Sequence, residues 1–145
     1  MAHTFNLSLA VQDLDNTETF YGQVLGLPVE RFVPGEQAAP LLLLPQGDAC
    51  LLIREIAAAE AMHPGLLQNM HRHPLGVGIS LEFTVDSLTP IRRQLERTNW
   101  PILYELEDRQ FAREELWVHD PDGYLVILHR ESQDARDEGE KRPPA

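Results

Sequence analysis

Val118-His119-Asp120-Pro121-Asp122-Gly123-Tyr124-Leu125-Val126-Ile127-Leu128 is the stretch from which the fold is read. Asp-Pro-Asp-Gly is strong turn chemistry: proline presets φ, aspartate closes an Asx-turn and glycine accepts a positive φ. Apolar runs flank it, so it predicts a tight hairpin between two buried strands. The second arm has an echo earlier in the chain. Gly47-Asp48-Ala49-Cys50-Leu51-Leu52-Ile53-Arg54-Glu55 lies over Gly123 to Glu131 without a gap, at an offset of 76 (123 − 47). Asn6-Leu7-Ser8-Leu9-Ala10-Val11 lies over Ser80-Leu81-Glu82-Phe83-Thr84-Val85 at an offset of 74 (80 − 6). Two echoes at nearly one offset point to a duplicated unit.

Working outward, residues 4–12 alternate, with Phe5, Leu7, Leu9 and Val11 on one face of a half-buried strand. Asp15, with Glu18 three residues on, suits an N-cap. Leu14, Phe20, Tyr21, Val24 and Leu25 then form a helical stripe, which Gly26 and Pro28 stop. Short strands at 29–33, 40–45 and 49–55 complete a βαβββ module over 4–55. Residues 56–75 form a connection, too apolar at Met62, Leu66, Leu67 and Met70 for a free linker; it reads as a lid or as a plain crossover. Module two, 76–131, repeats the order: a strand at 77–85, a helix capped by Ser87 with Pro90 in its first turn, and strands at 102–106, 113–119 and 124–130. The expected architecture is α+β, two tandem βαβββ modules forming an open, curled mixed sheet within a single domain, 1–131. The polar tail, 132–145, is expected to be disordered.

The 145 residues suffice for one compact domain or two interlocked modules. A net charge of −11 argues against nucleic acid, which needs a basic footprint, and favours a cationic ligand. Cys50 is the only cysteine, which excludes an intrachain disulfide and a thiolate metal cage. No apolar run approaches the roughly 20 residues of a membrane span and no signal-peptide pattern opens the chain, so a cytoplasmic location is expected.

Val11-Gln12-Asp13-Leu14, Phe20-Tyr21 and Val24-Leu25-Gly26-Leu27 resemble the first-module motifs of the glyoxalase, bleomycin-resistance and extradiol-dioxygenase superfamily, the vicinal oxygen chelate proteins. The run from Arg113 through Glu114-Glu115-Leu116-Trp117 to the Asp-Pro-Asp-Gly turn resembles most the bleomycin-resistance branch. The resemblance covers residues 4–131. It implies that each module curls into a half-cup, that two half-cups enclose a cavity, and that the chain pairs as a homodimer. In metal-using members it places ligands five residues before the Val of a module's first strand and four residues after the Gly of its last turn. Those positions hold Asn6, Leu51, Ser80 and Ile127 here. Aliphatic side chains cannot ligate, and Asn and Ser are weak donors for Zn²⁺, Ni²⁺ or Fe²⁺, so no metal and no other cofactor is expected.

By alternation, the concave face is expected to carry Asn6 and Ser8 from one module and Ser80, Glu82 and Thr84 from the other. Leu51, Ile53, Leu125, Ile127 and His129 would line the adjacent last strands. That is a mainly apolar pocket with a few polar groups, as small-molecule sites are, or else a polar sheet face open to water. Glu82 is either a carboxylate of raised pKa inside an apolar cup or a rim residue paired with an arginine such as Arg113. His71 and His73 suit a metal only if their segment is extended; His129 is the histidine expected to face the pocket. Trp100 and Trp117 either stack on a ligand or fill core and dimer contacts. The resemblance therefore implies a protein that binds or sequesters a small organic molecule, with a cationic ligand suiting its acidity. The alternative is an enzyme: a divalent-metal lyase or dioxygenase with relocated ligands, or a metal-independent catalyst using Glu82 and His129 as acid and base. A third reading makes the cup only an assembly surface.

Overall fold

The structure is a computed structural model that describes residues 4–131. It forms two compact units, divided between Val77 and Gly78. Each holds a four-stranded mixed sheet backed by helix, and both sheets follow one strand plan. The expected disordered tail lies outside the described residues.

In the first unit, β1 (Phe5–Val11) runs parallel to β4 (Ala49–Glu55), which pairs antiparallel with β3 (Leu41–Gln46) and through it with β2 (Glu30–Phe32), giving the order β1-β4-β3-β2. Helix α1 (Leu14–Glu18) continues directly into a π-helical stretch, Thr19–Val24. Its cap is Asp13, not the expected Asp15: Asp13 Oδ1 accepts from the Asn16 amide at 3.0 Å, and Leu14 N donates to Glu55 Oε1 at 3.1 Å. Two acids thus serve amides that the helix itself leaves unpaired. Asp15 and Glu18 instead hold Arg31 of β2, at 2.6 Å and 2.9 Å. Leu14, Phe20, Tyr21, Val24 and Leu25 are buried, as are Leu9, Val11, Leu42, Leu44, Leu51 and Ile53 of the sheet. The wide π turn ends at Gly26, whose φ of 69° suits glycine. The connection folds as α2 (Ile56–Met62), α3 (Pro64–Leu67) and a 3₁₀ turn, Met70–Arg72, with α2 against β4 and β1.

In the second unit, β5 (Ser80–Thr84) runs parallel to β8 (Leu125–Glu131), followed by β7 (Arg113–His119) and β6 (Tyr104–Asp108), all antiparallel, in the order β5-β8-β7-β6. Helix α4 (Thr89–Arg97) takes Pro90 in its first turn, and Ser87 Oγ accepts from Thr89 N at 3.3 Å. Its buried Ile91 and Leu95, with Leu88, share the core with Leu81, Phe83, Leu116, Val118, Val126 and Leu128. Trp100 Nε1 donates to His119 O at 2.8 Å, tying the end of the helix to β7, so this indole is a structural anchor. The Asp-Pro-Asp-Gly hairpin forms as expected. Asp120 is buried, and its Oδ1 accepts from the amides of Asp122 and Tyr124, both at 2.9 Å.

The ladders correct the register of the repeat. Asn6 pairs with Cys50, and Ser80 with Leu125, so β8 follows β4 by 75 (125 − 50), not 76. The reason lies in the turns. Gln46 pairs with Ala49 across Gly47-Asp48, whereas the second hairpin closes with Asp120 N donating to Tyr124 O at 2.9 Å across Pro121-Asp122-Gly123, one residue more. A one-residue slip turns every side chain of a strand to the other face.

Candidate functional site

Helices cover one face of each sheet, and the other face is where site residues were expected. On the first sheet, Asn6 and Ser8 lie on this open face and are exposed. Leu51 does not join them. It pairs with Leu7, stands among the helix-facing residues and is buried, as is the expected pocket residue Ile53. The open-face neighbour of Ser8 is Leu52. The expected equivalence of Leu51 with Ile127 therefore gives way to one of Leu52 with Ile127.

On the second sheet the expected residues do come together. Ser80 pairs with Leu125, Glu82 with Ile127 and Thr84 with His129, so all six share the open face. The antiparallel partner β7 sets Glu115 beside His129 and Trp117 beside Ile127. Strand β6 adds Tyr104 beside Trp117, the rings meeting edge to face at 5.1 Å.

A connected polar network runs across this face. Arg113 Nε donates to Glu115 Oε1 at 2.6 Å and Arg113 Nη2 to Glu82 Oε1 at 2.8 Å. Trp117 Nε1 donates to Glu115 Oε2 at 2.9 Å. His129 Nδ1 lies 3.3 Å from Glu82 Oε1, and its Nε2 lies 3.4 Å from Thr84 Oγ1. Glu82 is therefore the arginine-paired acid of the two readings, not a lone carboxylate in an apolar cup.

The two carboxylates differ in role. Only 10% of the Glu115 side chain is exposed, against 46% for Glu82. Burial alone pushes the Glu115 carboxyl up, but the hydrogen bonds from Trp117 and Arg113, with the charges of Arg113 and His129, outweigh it and hold the pKa below its ordinary value. Glu115 is thus a fixed anion whose work is to position Arg113 and Trp117. Glu82 is the carboxylate a ligand can reach. Sequence reasoning passed over Glu115 as a site residue. Its signal was the alternation of Arg113, Glu115, Trp117 and His119 against Leu116 and Val118, which puts four polar or aromatic groups on one face.

The other candidates lie elsewhere. His71 is exposed on the 3₁₀ turn, not an extended segment, with Nδ1 3.6 Å from Glu60 Oε1. Among the described residues no three His, Cys, Asp or Glu side chains converge as a metal group. The family's metal positions do not fit a metal either: Ile127 and, in the corrected register, Leu52 are aliphatic, with Asn6 and Ser80 as weak neutral donors. A cavity of about 230 Å³ opens at the β6–β7 turn, lined by Glu107, Asp108, Arg109, Arg113, Glu114 and Arg130 among others. Its charges pair locally, Arg130 with Glu114 at 3.8 Å and Arg109 with Glu107 at 3.5 Å. No helix among the described residues is long and apolar enough to cross a membrane.

Known proteins place the fold. Similar solved structures include an integron cassette protein from the mobile metagenome of V. Cholerae, 22% identical with a TM-score of 0.59, covering 91% of this chain and 97% of that one. Lactoylglutathione lyase from Agrobacterium tumefaciens is 20% identical with a TM-score of 0.60, covering 90% and 94%. TnmS3, an antibiotic binding protein from Streptomyces sp. CB03234, is 18% identical with a TM-score of 0.60, covering 91% and 98%. No curated protein matches the sequence. The family model described as Glyoxalase/Bleomycin resistance protein/Dioxygenase superfamily matches residues 1–128. With the doubled βαβββ plan and that match over most of its length, the chain belongs to the glyoxalase, bleomycin-resistance and dioxygenase superfamily.

Proposed function

We propose that this protein binds a small organic molecule on the open face of its second sheet, without a divalent metal at the family's usual positions. The observation that carries this reading is Ile127, an aliphatic residue at the carboxylate position, standing between Glu82 and Trp117 in the ladder. The face around it offers an aliphatic floor, an indole and one reachable carboxylate, the make-up of a small-molecule site. The exposure of Glu82 and the net charge of −11 favour a cationic ligand. The antibiotic-binding relative supplies a precedent for binding on this fold. We take residues 1–131 to act as one domain, paired as a homodimer in the cytoplasm, dimers being the commonest closed assembly. A dimer mass by light scattering at micromolar concentration is the expected result there.

The test of the site is elemental analysis of untagged protein for Zn, Ni, Fe and Mn, with a ligand screen read by thermal shift. Metal far below one per chain, and a melting temperature indifferent to EDTA, are expected. Near-stoichiometric metal lost with EDTA, together with a fall in melting temperature, would overturn the reading and restore the metal-dependent lyase or dioxygenase. As a positive control, Ser80→His with Ile127→Glu places an imidazole and a carboxylate on one face and is expected to create measurable Zn²⁺ affinity.

A further inference from the structure

We infer that His129 is a proton switch on this face. Protonated, it competes with Arg113 for Glu82 and cancels the net charge of the network; neutral, it leaves one negative charge for a cationic ligand. This rests on the reading that the second sheet's open face takes a small organic molecule.

Arg113 hydrogen-bonds Glu82, and His129 Nδ1 stands close to the same carboxylate without hydrogen-bond geometry. Arg113 Nη2 at 2.8 Å and His129 Nδ1 at 3.3 Å approach the same oxygen, Glu82 Oε1. From β5 the imidazole meets Glu82 and Thr84; from β7 it meets Glu115, its ladder partner, and Arg113 lies between the two acids. Ile127, its neighbour on the same face of β8, is apolar. The Thr84 hydroxyl, 3.4 Å from Nε2, donates to a bare ring nitrogen or accepts from a protonated one, so it tolerates both states. Only 10% of the His129 side chain is exposed, against 46% for Glu82, so water screens the interaction between them in part.

The charge count follows. Glu82, Glu115 and Arg113 together carry one net negative charge, and an imidazolium brings the sum to zero. Glu115 is held by two donors and cannot give way, so the contest falls on Glu82. A guanidinium and an imidazolium at one carboxylate oxygen neutralise its charge and so weaken its pull on a third cation, that of a ligand. Histidine is the side chain type whose charge small changes of environment can switch, which makes His129 the group of this network to test.

Two measurements test this, one without any ligand. In ¹³C-labelled protein titrated from about pH 5 to about pH 8, the Glu82 carboxyl carbon is expected to move with the midpoint of the His129 ring, and to lose that inflection in His129→Gln. Glu82 failing to follow His129 overturns the inference and leaves the binding proposal standing. The second measurement uses thioflavin T, a permanent aromatic cation, and anilinonaphthalene sulfonate, an anion of similar size. Thioflavin T is expected to bind roughly three- to tenfold more weakly at about pH 5.5 than at about pH 8, the effect of one nearby unit charge in a partly solvated site. The anion is expected not to weaken, and His129→Gln to bind thioflavin T equally at both pH values. Coupled titration with a pH-indifferent thioflavin T affinity would overturn the regulatory role alone. Coupled titration with no binding of either dye would overturn the binding proposal itself.

Discussion

The two sheets share a strand plan and differ in what their open faces carry. Positions correspond at an offset of 74 along the first strand and the central antiparallel strand of each sheet, and at 75 along the last. Helix-facing positions are apolar in both: Leu9 and Phe83, Leu42 and Leu116, Leu44 and Val118, Ile53 and Leu128 are all buried. The open faces part company. Where the second sheet holds Glu82, Glu115 and Trp117, the first holds Ser8, Leu41 and Leu43, and the position of Arg113 falls on Ala39, ahead of β3. Each sheet must bury one face against a helix, so that face is bound to be apolar. The other face carries no such obligation and is free to acquire chemistry. Function in this chain is therefore read from the residues by which the modules differ.

The largest expected effect comes from removing the fixed anion. Glu115→Ala leaves Trp117 Nε1 without its acceptor and Arg113 with one acid in place of two; a loss of about 2–4 kcal/mol in urea unfolding is expected. Glu115→Leu with Arg113→Ala, which writes the first sheet's residues onto the second, should recover much of that loss. A neutral single variant would show that the network is decoration. The same carboxylate sets a pH dependence. Its folded pKa lies below the ordinary 4.5, so its contribution is complete above that value and drains away as pH falls through the lower folded pKa. Glu115→Gln should remove this share of the acid destabilisation, which falls below the ordinary 4.5, and leave the pH dependence near neutrality unchanged.

The turns come next. Gly123 has φ 94° and Gly47 φ 59°. Gly123→Ala is expected to cost about 1–2 kcal/mol in thermal unfolding, while Gly47→Asn, in the left-handed region that asparagine tolerates, should cost under about 0.5 kcal/mol. Equal costs would mean that the extra residue places no special demand on the second turn. The smallest effect is expected at Glu82, which is half exposed. Glu82→Gln should change stability by less than about 1 kcal/mol yet weaken binding of any cationic ligand, separating the reachable acid from the fixed one.

Much of this was legible from residue order alone. The Asp-Pro-Asp-Gly turn, the alternation at Ser80 to Val85 and the helical stripe from Leu14 to Leu25 each depend on neighbours within a few positions, and each formed as expected apart from small shifts of boundary. The helix cap is Asp13 and not Asp15 because the helix starts at Leu14, which leaves Asp15 inside its first turn, where it pairs with Arg31. Glu55 comes from another strand to take the Leu14 amide. The placement of Leu51 failed for a different reason. Aligning the two glycines assumed turns of one length, and nothing local to Leu51 reports how many residues its hairpin spans.

The sequence by itself determined the doubled βαβββ plan, the apolar face of each strand and the aliphatic residue at Ile127, because these follow from spacing, turn chemistry and residue type. Only the tertiary structure decided the register of the last strands and the partners of Glu82. Arg113 stands 31 residues from Glu82 in the chain, and Glu115 faces His129 only through the ladder between β7 and β8. Which acid is fixed and which is reachable depends on burial, and burial is a property of the packed sheet.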